Sequence, residues 1–264
     1  MSTDPERSTA AVKLGLTLPS FVDDPEIPIA VARTAEAAGI DAVFVFDHIY
    51  RDGPTGRRPA LECFSLLGAI AVETQTIQVG TLVARSTLRP AATLAHCFDT
   101  VQRVSSGRLI AGIGAGDHLS REENESYGIN FGTMADRVDA LHAAVRASHG
   151  HGYPVWVGGH VPQVRELVAL ADGWNRWGGD ADRFRRESAI VRDIAPRATL
   201  TWGGLVSFDP NLQRDGVIAG KPAEVAASLR GYVDAGAEWL VLGPFDAANA
   251  SNATIIGEEL RPLL

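Results

Sequence analysis

Cysteine is scarce in this sequence. Cys63 and Cys97 are the only two in 264 residues. Without C-x-x-C spacing they make neither a disulfide framework nor a zinc site, so buried free thiols are expected. Lysine is as rare: Lys13 and Lys221 stand alone among 24 basic residues, the rest being arginine. That bias, with abundant alanine and glycine, is the signature of a GC-rich bacterial genome, and it leaves no lysine cluster suited to a sugar phosphate. Positive charge is short overall. At a net charge of −8 the chain offers little counter-charge to nucleic acid or to an anionic membrane, so neither is expected as a partner and a small-molecule substrate is. Long apolar runs are missing too. None approaches the roughly 18 residues of a membrane-spanning helix, and the polar start MSTDPERST has no signal-peptide core, so a cytoplasmic location is expected. The nucleophile elbow, the Walker loop and HExxH are also absent, which removes the common hydrolase and nucleoside-triphosphatase readings.

What is present is a regular alternation of strand and helix signals. Residues 12–18 (VKLGLTL) read as a first strand, and a helix begins near Ile27 with Asp24 placed to cap it and Pro25 in its first turn. The stretch AEAAGIDAVFVF ends that helix at Gly39 and opens a second strand. Further strands are expected in ETQTIQVGTLV, VSSGRLIAGIGAG, HGYPVWVGG, ALADGWNRW, PRATLTWGGLV and VDAGAEWLVLG. Helical periodicity is clearest over residues 133–148, through Met134, Val138, Leu141 and Val145, and recurs at Val225, Leu229 and Val233. The strands are apolar throughout, as parallel strands covered on both faces are. Eight such units in this length most simply close as an α/β fold, a single (β/α)₈ TIM barrel, with an open doubly wound sheet as the alternative. No linker divides the chain, so residues 12–264 are expected to form one barrel domain behind a loose N-terminus at 1–11.

In a parallel barrel the site forms at the carboxyl ends of the strands, which directs attention to polar residues just after each apolar run. After VFVF come Asp47 and His48; an imidazole there suits proton transfer near neutral pH, while polar strand ends also serve merely to meet solvent. After the fourth strand, GIGAGDHLSREENESYG brings glycines and Asp117. It departs from a dinucleotide fingerprint in spacing and position, and Glu122, Glu123 and Glu125 read most simply as a solvated helical face. After the fifth strand, Gly158 and Gly159 open a helix, where unpaired amides attract anions, though paired glycines also make plain tight turns. His149 and His151 lack a third ligand, so no metal is expected. Trp174, Trp177 and Trp202 read as core or rim packing, with a substrate platform left open.

Taken in order, AEAAGIDAVFVFDHI, IQVGTLVARSTLRPAATLAH, SSGRLIAGIGAGD, YPVWVGG and LADGWN resemble the luciferase-like flavin monooxygenase and coenzyme F420-dependent oxidoreductase superfamily over nearly the whole chain. The resemblance implies the barrel and gives roles by position. His48 matches a histidine that moves a proton beside the reactive ring carbon, with Asp47 lining the cofactor site. Leu82 and Val83 match a bulge in the third strand that backs the ring, often through a non-proline cis peptide; Leu82 is larger than the residue many relatives carry there, which leaves the isomer open. Asp117 matches an acidic position taken as catalytic, Ser120 one that reaches the cofactor tail, and Gly158 and Gly159 the turn that receives its phosphate. The segment between the fourth and fifth strands, about residues 119–153, is shorter than in many relatives.

The activity implied is hydride transfer between coenzyme F420 and a small organic substrate. FMN-dependent monooxygenation with reduced flavin is the alternative, and a non-catalytic flavin or deazaflavin carrier a second one. Composition fits GC-rich actinobacteria, many of which make the deazaflavin. The resemblance further implies a homodimer, and a separate flavin or F420 reductase as a partner.

Overall fold

Glycine and bulky aromatic residues are distributed along this chain so that one makes room for the other, and the interior of the fold follows from that pairing. In a computed structural model of the protein, which describes residues 11–53, 56–117 and 120–264, β1 (Lys13–Thr17) leads through α1 (Glu26–Ala37) to β2 (Ala42–Val45). A hairpin of β3 (Tyr50–Gly53) and β4 (Gly56–Pro59) precedes α2 (Cys63–Glu73), β5 (Gln78–Arg85), α3 (Ala91–Val104) and β6 (Leu109–Gly114). Next come α4 (Ser120–Ser126), α5 (Met134–Ser148), β7 (Val155–Gly158), α6 (Val161–Val164) and β8 (Gly173–Trp177). The chain continues through α7 (Ala181–Ile194), β9 (Thr199–Ser207), β10 (Val217–Ala219), α8 (Pro222–Asp234) and β11 (Trp239–Pro244), and closes with α9 (Ser251–Thr254) and further helical turns.

Strands β1, β2, β5, β6, β7, β8, β9 and β11 pair in parallel in that order, and β11 returns to β1, so the sheet closes as a (β/α)₈ barrel. All eight barrel strands form in the stretches expected from the sequence, β5 running two residues and β9 and β11 one residue past them. The ninth parallel strand, β10, extends the sheet beside the far end of β9, at Leu205 to Ser207. Residues 1–10, most of the expected loose N-terminus, lie outside the described residues. The span 119–153 between the fourth and fifth barrel strands is occupied by α4 and α5, its first residue, Leu119, being outside the described residues.

Two cores result. The larger lies between strands and helices, where Val43 and Val45 of β2 meet α2 residues such as Leu67 and Ile70. The smaller plugs the barrel with Phe44, Ile110, Trp156, Trp239 and Val241. Ring centroids of Phe44 and Trp156 are 5.7 Å apart, and those of Trp156 and Trp239 are 5.3 Å apart at 73°, an edge-to-face geometry that favours aromatic pairs. A Cβ at Gly15 or Gly80 would lie 2.8 or 2.9 Å from the Phe44 ring, and one at Gly173 would lie 2.5 Å from Trp156. Side chains on those strands would leave the rings no space. Cys63 is buried and Cys97 half-buried, both as free thiols, and burial pushes the Cys63 thiol pKa up, so the thiol is kept protonated and unreactive.

Among the described residues, no helix is long and apolar enough to cross a membrane.

Candidate active site

Above the aromatic plug the carboxyl ends of the strands enclose a cavity of about 510 Å³, within the range of small-molecule and cofactor sites. Its lining includes Asp47, His48, Leu82, Val83, Asp117, Ser120, Gly158 and Gly159, so every site residue expected from the sequence faces one hollow. What each side chain does there differs from case to case.

The third barrel strand, β5, loses register with β6 between Thr81 and Ala84, and the Leu82–Val83 peptide is cis. Thr81 Oγ1 donates to the Gly112 carbonyl at 2.6 Å, and a Cβ at Gly112 would lie 2.1 Å from the Thr81 carbonyl oxygen. The bulge thus needs glycine on its neighbour. Val83 in turn fits between Gly114 and Gly158, whose added Cβ atoms would meet it at 2.4 and 2.8 Å. Close approach to Val83 therefore explains Gly114 and Gly158 without any ligand. Gly159, at φ +143°, holds a backbone conformation suited to glycine, and its carbonyl accepts from Trp174 Nε1 at 2.9 Å. The helix that follows, α6, is a single turn, Val161–Val164. Substituting Gly112 by alanine is expected to destabilise the fold by about 3 kcal/mol, the upper range for overpacking, since a backbone carbonyl must move; urea denaturation measures it.

His48 is partly exposed, its side chain 34% accessible, and its Nδ1 lies 3.0 and 3.3 Å from the two oxygens of Glu123, whose own side chain is 4% accessible. Glu123 Oε1 also accepts the backbone N–H groups of Ile49 and Tyr50, and Oε2 accepts from Arg85 Nη1 at 2.9 Å. Every partner of this carboxylate is a donor. Burial alone would raise its pKa, but the His48 hydrogen bond and charge, the Ile49 amide and Arg85 together outweigh burial and hold it below the usual value. An ionised carboxylate can only accept, so the Nδ1 of His48 carries a proton and its Nε2 is left to exchange one. The reading of Glu123 as part of a solvated face is corrected here: α4 turns this one acid inward while Glu122 pairs with Arg57 and Glu125 with Arg121 at the surface. No helical periodicity announces this in seven residues. The contact spans 75 positions and exists only in the fold.

Arg85 and Arg89 complete the wall. Asp47, 3% exposed, accepts from the Arg85 backbone N–H at 2.9 Å and from Arg89 Nη1 and Nη2 at 2.7 and 3.2 Å. Its carboxylate is thereby committed to a two-pronged ion pair that fixes the end of β2 against β5. Burial alone would lower the Arg89 pKa, and the Asp47 charge and hydrogen bonds raise it instead. Arg85 donates through Nε to the Asp47 carbonyl and through Nη1 to Glu123 and Asn124, while its Nη2 has no partner among the described residues. A charged residue at the end of an apolar run was a signal available in the sequence for Arg85, as it was for Asp47.

Asp117 sits at the exposed rim, where Oδ1 accepts from the backbone N–H and Oγ of Ser120, both at 3.1 Å. It starts α4, and Ser120 is buried beneath it. Among the tryptophans, Trp174 and Trp202 are core residues stacked on Phe184 and Tyr232. Trp177 alone lines the cavity, edge-on to Phe46 and laid over Gly203. His151 bonds Asp99 at the surface, and among the described residues no group of histidine, cysteine and acidic side chains could hold a metal.

This chain belongs to the luciferase-like monooxygenase family, whose pattern matches residues 9–205. It is 28% identical over 211 residues to an uncharacterized protein of Mycobacterium tuberculosis, covering 66% of this chain and 73% of that one. It is 30% identical over 225 residues to an F420-dependent glucose-6-phosphate dehydrogenase of Nakamurella multipartita, covering 70% of this chain and 64% of that enzyme. An F420-dependent secondary alcohol dehydrogenase, solved with an F420–acetone adduct, superposes with a TM-score of 0.80 at 15% identity over 97% of this chain and 100% of that one. The EDTA monooxygenase of Chelativorans sp. BNC1 does so at 0.78 and 15%, over 96% and 93%. At these identities the two structures speak for the fold.

Proposed function

We propose that the protein catalyses hydride transfer between coenzyme F420 and a small organic substrate, with His48 as the proton-transfer group. The observation that carries this reading is the clamp on His48: Glu123 holds Nδ1 and leaves Nε2 as the exchangeable position, on a residue that lines the cavity beside the β5 bulge. The cavity fits such a group. Phe46, Leu82, Val83 and Trp177 supply apolar surface for a flat ring system, and Arg85 and Arg137 are among the residues that line it. When bound, the deazaflavin supplies a ring carbon that takes or gives a hydride.

The chain's own residues then have separate tasks. His48 Nε2 takes the proton of a substrate hydroxyl during oxidation, or returns it during reduction. Glu123 keeps the ring in one tautomer and orientation by accepting from Nδ1. Arg85 and the Asp47–Arg89 pair hold the wall rigid, and Phe46 and Trp177 keep water from that face of the cavity. A curated relative named for F420 dependence supports the deazaflavin. The reading extends to a homodimer, supported by the exposed Val72 and Val104 on the adjacent helices α2 and α3, and to a separate reductase that recharges the cofactor.

Fluorescence titration of the purified protein with F420, oxidised FMN and reduced FMN tests the cofactor. F420 is expected to bind in the micromolar range, and more tightly than either form of FMN. Binding of FMN alone would replace this reading with flavin monooxygenation, and binding of none would remove both.

A further inference from the structure

We propose that Trp177 forms the substrate wall of the cavity, and that the substrate it selects is a flat, uncharged aryl alcohol or the matching carbonyl compound. This names a substrate class for the function proposed above and rests on it. Trp174 and Trp202 stack on Phe184 and Tyr232, and Trp156 and Trp239 pack on each other in the plug. Trp177 differs. It is half-buried and lines the cavity, Phe46 meets it edge-on at 6.0 Å and 86°, and among the described residues no ring stacks on it. Its six-membered ring is backed by bare chain: a Cβ at Gly203 would lie 2.6 Å from it, and one at Gly243 would lie 3.3 Å from it. Two glycines on the neighbouring strands β9 and β11 thus leave the side-chain space of their part of the mouth to one indole. An open indole surface inside a cavity is what an aryl group stacks on.

Position and charge set the other properties of the substrate. In the closed order of eight strands β9 stands opposite β5, so the indole faces the Leu82–Val83 bulge across the mouth. A ring system backed by the bulge leaves the side under Trp177 to the substrate. Phe46 joins this wall to His48, whose ring it meets at 6.4 Å, and Phe21 flanks the same imidazole at 5.6 Å. The ionised groups around His48 are committed elsewhere: Asp47 to Arg89, and Glu123 to Arg85 and to His48 itself. Arg176, next to Trp177 in the chain, turns to Glu187 on α7. Two residues down the same faces of β8 and β9 stand Asn175 and Thr201, a neutral pair hydrogen-bonded at 2.7 Å. A carboxylate or phosphate under Trp177 would lose its water and find only neutral neighbours there. Oxidation of the alcohol breaks a C–H and the O–H bond: the proton goes to His48 Nε2, the hydride to coenzyme F420, and a C=O bond remains. Reduction of the carbonyl compound runs the same transfers backwards.

The test uses three matched alcohols: benzyl alcohol, cyclohexylmethanol, which has the same carbon skeleton without the flat ring, and mandelate, an aryl alcohol with a carboxylate. Ligand-observed NMR titration of the cofactor-free protein gives binding without turnover, and rates read from F420 absorbance give kcat and KM. The wild type is expected to prefer benzyl alcohol to both others by either measure. In Trp177→Ala the preference for benzyl alcohol over cyclohexylmethanol should fall by about 3- to 10-fold, the range for one aromatic contact, and Trp177→Phe should restore most of it. The change should appear in KM more than in kcat, because the wall binds while His48 reacts. An unchanged preference in Trp177→Ala, or a wild type that prefers mandelate or cyclohexylmethanol, overturns the wall. Displacement of benzyl alcohol by F420 overturns it too, since the alcohol would then occupy the cofactor's place. Folding is checked by thermal melting; should Trp177→Ala not fold, Trp177→Leu and Trp177→Phe carry the comparison. The two readings fail separately. If F420 binds and alcohol binding is indifferent to Trp177, hydride transfer stands and the wall falls; if alcohol binding depends on Trp177 and F420 does not bind, the wall stands and the F420 reading falls.

Discussion

Replacing His48 by alanine is expected to lower turnover by about 10²- to 10⁴-fold, the usual worth of a positioned general acid or base, while F420 affinity changes by less than about threefold. The separation of the two effects follows from the geometry. His48 touches the cavity with one edge of its ring, and its other edge is committed to Glu123. The apolar surface that would hold the ring system comes from Leu82, Val83, Phe46 and Trp177, none of which leans on the imidazole for its position beyond the Phe46 edge contact at 6.4 Å. Removing the imidazole therefore takes away the proton carrier and leaves the shelf. Steady-state rates with any alcohol or carbonyl compound that the wild type turns over, read from F420 absorbance, give the first quantity, and fluorescence titration the second. Retained turnover in the variant would remove His48 from the chemistry; a protein that binds cofactor and turns over nothing, with or without His48, would be a carrier.

The barrel was legible because its evidence is local. Eight apolar runs, each ended by a polar or glycine residue, survive any rearrangement of the loops between them, and the same rule placed Asp47 and His48 at the mouth. The hairpin β3–β4 was not legible: its strands YRDG and GRRP carry charges and no alternation, and their pairing stands above the barrel without a core of its own. Roles were harder to read than places. Asp117 lies where the sequence puts it, but its Oδ1 is spent on starting α4. Gly158, expected in an anion-receiving turn, and Gly114 both make room for Val83. Glu123 and Arg137 were out of reach because the first looks like one acid among several and the second like an ordinary helical arginine. What distinguishes them is burial and the identity of their neighbours, both set by chain segments far away.

Glu123 gives the largest expected effect on stability. Substitution by leucine leaves the buried Arg85 without its carboxylate and the Ile49 and Tyr50 amides without an acceptor, and is expected to cost about 3 to 5 kcal/mol, as for breaking a buried ion pair from one side. Glutamine keeps the volume but turns an N–H₂ group toward donors only, so Glu123→Gln should lose about 1 to 3 kcal/mol and, by releasing Nδ1, also slow turnover. The pH dependence identifies the group. In the folded protein the Glu123 pKa lies below its ordinary value of 4.5, so on acidification the unfolded chain takes up this proton first. Its contribution to stability is then complete above about pH 4.5 and is lost as the pH falls through the lowered folded pKa. Other carboxylates with lowered pKa values, such as Glu36 and Glu62, add to the acid slope of the wild type, and they persist in the variants. Urea denaturation of wild type and Glu123→Leu at pH 7 and below pH 4.5 isolates the difference: the gap between the two proteins should narrow in acid, and a gap that stays constant would mean that Glu123 is not held as the anion that clamps His48.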